Sequence, residues 1–172
     1  MRKKAIFFDR DGTLIKTFIS KKNIPLAIKK IKDLKIIRNV KFVIEILSKN
    51  FLIIVFTNQP DVARTKNTKI NVVEINSKLL EILKITKIYT CYSDNNLNYM
   101  RKPNPGMIYL AKKRFNLDLK KSYVVGDRDK DIIAGKKAKC KTVLIKKKYN
   151  DYKIINPDFA IGDIKQLIKI VK

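Results

Sequence analysis

The chain has 172 residues, 45% of them hydrophobic, which is enough to bury a core and excludes wholesale disorder. Forty Lys and Arg stand against 15 Asp and Glu, a formal net charge of +25, and histidine is absent. That absence excludes His-based triads, His metal clusters and phosphohistidine chemistry, so any acid, base or nucleophile must be Asp, Glu, Lys, Tyr, Cys or a hydroxyl.

The two cysteines, Cys91 and Cys140, have no paired spacing and form neither a disulfide framework nor a zinc set. The charge has two readings. Only seven of the 40 basic residues are Arg, and the lysines are spread along a chain rich in Ile and Asn, as A/T-rich codon usage alone would produce. The other reading is attraction to an anionic polymer such as nucleic acid. Under either, a positive surface draws in phosphates. No apolar run approaches the ~20 residues of a membrane helix. The run after Met1-Arg2-Lys3-Lys4 stops at Asp9, too short for a secretory core, so a cytoplasmic protein without membrane contact is expected.

Taken in order, Ala5–Phe8 is a short apolar run ending abruptly in Asp9, the pattern of a buried parallel strand. Residues 14–38 read as loops with one short helix. Val40, Val43, Ile44 and Leu47 fall at helical spacing, and Phe51–Phe56 is a strand stopped by Thr57-Asn58-Gln59-Pro60. Val72, Ile75, Leu79 and Ile82 make a second amphipathic helix, and Lys87–Tyr92 a third strand. Pro103 and Pro105 open a helix with Met107, Leu110 and Ala111 on one face. Tyr123–Val125 ends at Gly126-Asp127 and precedes a helix over Asp129–Ala138. Thr142–Ile145 and Phe159–Ile161 are further strands, before a helix bearing Ile164, Leu167, Ile168 and Val171.

This alternation predicts an α/β fold with a mostly parallel sheet and helices on both faces, as one domain over residues 1–172. In such sheets ligands lie beyond the carboxyl ends of the strands. Asp9, Thr57 and Asp127 each end a predicted strand and are expected to meet there. Asp11-Gly12 alone is also a turn signal. Together with the other strand ends, however, Asp9 and Asp11 read as paired carboxylates that repel unless a cation joins them, and Mg2+ with its preference for oxygen ligands suits that place. A strand-terminal Thr57 hydroxyl and a cation from Arg101-Lys102 would hold phosphate oxygens.

Four segments, Asp9-Arg10-Asp11-Gly12-Thr13, Val55-Phe56-Thr57-Asn58-Gln59, Arg101-Lys102-Pro103-Asn104-Pro105-Gly106-Met107 and Val125-Gly126-Asp127, carry a resemblance. In order and rough spacing they resemble the haloacid-dehalogenase-like (HAD) phosphatases over about residues 5–145. Arg10 and the Arg-Lys-Pro-x-Pro-Gly-Met run are most similar to the branch acting on D-glycero-D-manno-heptose 1,7-bisphosphate, with its histidinol-phosphate relatives. The resemblance implies a Rossmann-like, three-layer HAD fold and a Mg2+-dependent phosphomonoester hydrolase working through an aspartyl-phosphate. Asp9 would be the nucleophile and Asp11 the general acid and base. Asp9, the Asp11 main-chain carbonyl and Asp127 would hold Mg2+. Arg10, Thr57, Asn58, Gln59, Arg101, Lys102 and Arg128 would meet the substrate. Asp131 would either orient this shell or cap the next helix.

The gaps between motifs, about 45 residues each, leave no room for a separate cap domain, so an open site in a monomer acting on a small phosphorylated substrate is expected. Two departures stand out. Where branch members carry four zinc ligands, this chain has Cys91, Ser93, Asn98 and Met100, so no zinc is expected and the loop is expected to be held by packing of Tyr92, Tyr99 and Met100. Pro60-Asp61 replaces the usual Ser-Gly after Thr57-Asn58-Gln59. The alternatives are a histidinol-phosphate phosphatase, a polynucleotide 3′-phosphatase, whose motifs are shared and which the charge would suit, and an idle basic binding module.

Overall fold

The computed structural model describes residues 2–148 and 156–171. Six strands form one parallel sheet: β1 (Ala5–Phe8), β4 (Leu52–Asn58), β5 (Lys87–Cys91), β6 (Tyr123–Gly126), β7 (Lys141–Ile145) and β8 (Phe159–Ile161), in the order β5-β4-β1-β6-β7-β8. Among the described residues, five α-helices accompany them: α1 (Val40–Leu47), α2 (Lys69–Ile82), α3 (Gly106–Phe115), α4 (Asp129–Lys137) and α5 (Leu167–Ile170).

Strand side chains alternate between the two faces, and the core divides accordingly. Ile6, Phe8, Ile53, Val55, Tyr123 and Val125 pack with α1, α2 and α5. Phe7, Ile54, Phe56 and Val124 pack with α3 and α4. Burial on both faces explains why β1 and β4 read as continuous apolar runs. The outcome is the three-layer Rossmann-like arrangement expected.

Local chemistry fixes the element ends. The Thr68 hydroxyl accepts the Asn71 N–H at 3.2 Å and starts α2. Asp131 accepts the Arg128 N–H at 3.1 Å and starts α4. Asn116, left-handed at φ 51°, closes α3.

Three readings need correction. β4 runs on through Thr57 and Asn58, which remain paired to Thr90 and Cys91. The buried face of α3 is Met107, Ile108 and Ala111, while Leu110 is about half exposed: at about 100° per residue Ile108 and Leu110 flank the line from Met107 to Ala111 on opposite sides, and it is the Ile108 side that meets the core. Residues 14–38 contain a small antiparallel ribbon, β2 (Phe18–Ile19) with β3 (Pro25–Leu26), ahead of a 3₁₀ turn at Ile31–Asp33. Two-residue strands leave too short an alternation to be seen in sequence.

Candidate active site

Because β4, β1 and β6 are neighbours, the sheet brings Thr57, Asp9 and Asp127 to one edge. The chain turns sharply after β1. Gly12 sits at φ 88°, a left-handed conformation that any side chain would strain, and its N–H donates to the Ile15 carbonyl at 2.8 Å. Leu14 and Ile15 donate to the Arg10 carbonyl at 2.9 and 3.1 Å, so Asp9, Arg10 and Asp11 lie on a closed loop.

Lys102 enters from the loop before α3. Its ammonium donates to Asp9 Oδ1 at 2.6 Å, to Asp131 Oδ1 at 2.7 Å and to the Phe56 carbonyl at 2.9 Å, using all three protons. It also lies 4.2 Å from the Phe56 ring centroid. Burial acts to lower its pKa, but the two carboxylates outweigh burial and hold it raised, so the group is charged. Asp9 is pushed well above the usual carboxylate range by burial, helped by Asp131, Asp127 and Asp11 and opposed by Lys102.

Oxygens of Asp9, Asp127 and Asp131 lie within 4.8 Å of one another, a cluster that could hold a metal ion. Three buried carboxylates face one ammonium, a charge balance that a divalent cation would complete. Asp131 takes both roles foreseen for it: one oxygen caps α4 and the other holds Lys102. Its fit requires Gly126, where a Cβ would lie 2.3 Å from Asp131 Oδ2. Thr13, one residue past the glycine turn, donates to Asp127 Oδ1 at 3.3 Å.

Asp11 is held differently. Arg10 grips both its oxygens, Nε to Oδ2 at 3.0 Å and Nη2 to Oδ1 at 3.3 Å, while Gln59 Nε2 reaches Oδ2 at 2.8 Å and the Thr57 hydroxyl lies at 3.5 Å. The Asp11 side chain is thus not part of the Asp9–Asp127–Asp131 group.

The cleft above these groups has a volume of about 320 Å³. Asp9, Asp11, Thr57 and Lys102 line its floor, and its walls include Ile24–Ala27 from the ribbon, Pro60-Asp61, and the cations Arg64, Arg101, Arg128 and Lys130.

Among the residues expected at the substrate, Asn58, Gln59 and Arg101 line the cleft and also bond to neighbouring groups, and Arg10 turns inward. Arg10 is fully buried and absent from the cleft wall. Gln59 donates to Asp11 and to the Thr57 hydroxyl. Asn58 clamps the backbone of Lys102, donating to its carbonyl at 3.0 Å and accepting its N–H at 3.1 Å. Arg101 lines the cleft but spends Nη1 on the Ser93 carbonyl at 2.9 Å and Nε on Asn96 at 3.2 Å. With Asn104, which donates to the carbonyls of Asn96 and Asn98, it pins residues 93–98. Of the packing expected there, Met100 lies against the core while Tyr99 is 58% exposed. Short polar side chains in Ser93-Asp94-Asn95-Asn96 were the available signal, since such residues hydrogen-bond nearby backbone.

The family model of polynucleotide kinase 3 phosphatase matches residues 4–165. The chain is 32% identical over 161 residues to the D-glycero-alpha-D-manno-heptose-1,7-bisphosphate 7-phosphatase of Campylobacter jejuni, covering 88% of this chain and 89% of that protein. It is 31% identical to the D-glycero-beta-D-manno-heptose-1,7-bisphosphate 7-phosphatase of Pasteurella multocida, over 99% of both. Its fold matches the crystal structure of D,D-heptose 1,7-bisphosphate phosphatase from B. bronchiseptica complexed with magnesium and phosphate. The TM-score is 0.79 at 22% identity, with 97% of this chain and 99% of that one covered.

Proposed function

We propose that this chain, which belongs to the HAD phosphatase family described by the polynucleotide kinase 3 phosphatase model, hydrolyses a sugar bisphosphate of the heptose 1,7-bisphosphate type. One observation carries the reading. A buried aspartate held by Lys102 at 2.6 Å stands beside a second, separately clamped aspartate at the floor of a small cleft walled by four cations. The substrate class rests on the two relatives of 31–32% identity, and a volume near 320 Å³ suits a small phosphorylated metabolite.

In this reading an Asp9 carboxylate oxygen attacks phosphorus and the bond from phosphorus to the leaving oxygen breaks. Asp11, protonated, gives its proton to that oxygen, and the alcohol departs. Asp11, now a carboxylate, takes a proton from water as the water oxygen attacks the aspartyl-phosphate. The Asp9–phosphorus bond breaks, orthophosphate leaves, and both aspartates are restored. Thr57 and Lys102 neutralise and orient the phosphoryl oxygens. Asp9, Asp127 and the Asp11 carbonyl would hold Mg2+, beside Asp131, and the ion would offset the negative charge gathered there. The whole of residues 1–172 would act as one domain with an open cleft.

The test measures phosphate release with Mg2+ from heptose 1,7-bisphosphate, histidinol phosphate and a 3′-phosphorylated oligonucleotide, with Asp9→Asn as control. Turnover of the bisphosphate, abolished by the control, is expected. Release from the oligonucleotide alone would overturn the substrate, and activity retained in Asp9→Asn would overturn the mechanism.

A further inference from the structure

The four motifs account for Asp11 and its neighbours but not for what holds Arg10. Arg10 is fully buried, and its guanidinium is a flat fork of five donors with no acceptor. Two of its nitrogens face Asp11. The third, Nη1, donates at 2.8 Å to Oδ1 of Asn76, a residue of α2 that is 66 positions away.

This contact sets the rest of the chain of bonds. A guanidinium can only donate, so the Asn76 oxygen must face Arg10 and its amide nitrogen must face the other way. There Nδ2 donates at 3.1 Å to the Thr90 hydroxyl on β5. The guanidinium plane is therefore fixed at both ends: by Asp11 on the cleft side and by an amide anchored to helix and sheet on the other. The Asp11 carboxylate, gripped through both oxygens by that plane, takes its orientation from it.

We propose that Asn76 is a positioning residue: through Arg10 it sets the angle at which Asp11 meets the leaving oxygen of the substrate. This rests on Asp11 being the general acid of the proposed reaction. Removing the amide would leave a buried guanidinium N–H without its acceptor, and the plane would tilt to find another. Arg10 and Asp11 would remain in contact but off the productive line, and displacement of that kind weakens proton transfer without emptying the site.

A general acid matters most for a leaving group that cannot depart as an anion. An alkoxide needs the proton, whereas p-nitrophenolate does not. The experiment compares kcat/KM on heptose bisphosphate and on p-nitrophenyl phosphate for the full chain with Mg2+ in wild type, Asn76→Ala, Asn76→Asp and Thr90→Val. For Asn76→Ala a fall of about 30-fold on the sugar phosphate is expected, against about threefold or less on p-nitrophenyl phosphate. Asn76→Asp keeps the acceptor and is expected to stay within about threefold of wild type on both substrates. Thr90→Val removes only the outer anchor, so a smaller fall with the same bias is expected, and it serves if Asn76→Ala does not fold.

Equal losses on both substrates, or no loss in the folded variants, would overturn the proposal. Asp9→Asn, measured alongside, keeps the two ideas apart. If it is inactive while Asn76→Ala behaves as wild type, the reaction stands and the positioning role falls. If it is active, the reaction itself falls.

Discussion

Lys102 reaches Asp9 across 93 residues of sequence and Asp127 meets Thr13 across 114, whereas the β2–β3 ribbon on the cleft wall closes on itself within a few residues. In the ribbon Ser20 N–H donates to the Ile24 carbonyl and the Ser20 hydroxyl accepts the Ile24 N–H, and Phe18, Ile19 and Leu26 are each about half exposed. A longer tie, from Asn23 to the Lys148 carbonyl at 2.6 Å, joins it to the sheet side. The floor is thus built from buried, charge-assisted bonds between distant segments, and this part of the wall from local turns. Such a division lets the phosphoryl chemistry stay fixed while the surface that meets the rest of the substrate changes at little cost to stability.

The sharpest way to break this comparison is at the floor. Asp9→Asn is expected to lower turnover by at least about 10³-fold with any phosphomonoester, followed by phosphate release, since the proposed covalent step needs the Asp9 carboxylate. Lys102→Met comes next. It leaves two buried carboxylates without their shared cation, so a loss of about 3–5 kcal/mol in urea unfolding is expected together with inactivity. Gly126→Ala would drive a methyl group into Asp131 and is expected to destabilise by about 1–3 kcal/mol in the same assay, with a matching fall in activity.

On the wall, the double substitution Ile24→Ala and Leu26→Ala is expected to move unfolding by about 0.5 kcal/mol or less. In steady-state assays it should change KM for the sugar phosphate while leaving turnover of p-nitrophenyl phosphate nearly intact. A loss of activity on both substrates would erase the distinction between floor and wall. The smallest effect lies far from the cleft. Burial acts to raise the pKa of Asp158, but hydrogen bonds from the Thr142 hydroxyl and N–H, with Lys136, outweigh it and bring the value below 3.8. A carboxyl whose folded pKa is lowered stabilises fully above its unfolded value and loses that contribution as pH falls through the folded one. Acid unfolding below about pH 4 should therefore be slightly less steep in Asp158→Asn.

The parts read well from sequence were those where one physical demand acts on neighbouring residues. A strand buried on both faces must be a run such as Phe51–Phe56, and a residue ending such a strand in a parallel sheet must sit at the ligand edge, which brought Asp9, Thr57 and Asp127 together before any coordinates. What sequence could not show was direction. Arg10, Asn58 and Gln59 are polar residues within the motifs, and nothing in their spacing tells whether they face a ligand or another side chain. The structure buries Arg10 away from the cleft, while Asn58 and Gln59 line it and also bond inward, Gln59 to Asp11 and Asn58 to the Lys102 backbone. Asn76 was invisible for the same reason: on a helix read only for its apolar stripe, a polar residue beside Ile75 looks like solvent-facing surface.

The strand order also governs when the protein can first work. β1 is made first yet lies in the interior of the sheet, and one of its two neighbours, β6, begins only at Tyr123. During synthesis Asp9 leaves the ribosome well before Asp127 and Asp131, which follow more than a hundred residues later. A chain stopped short of Tyr123, whether by a broken message or a protease, carries Asp9 but lacks half of the charges that surround it. Under the proposed mechanism such incomplete copies are expected to be silent until Asp127 and Asp131 have joined the sheet edge.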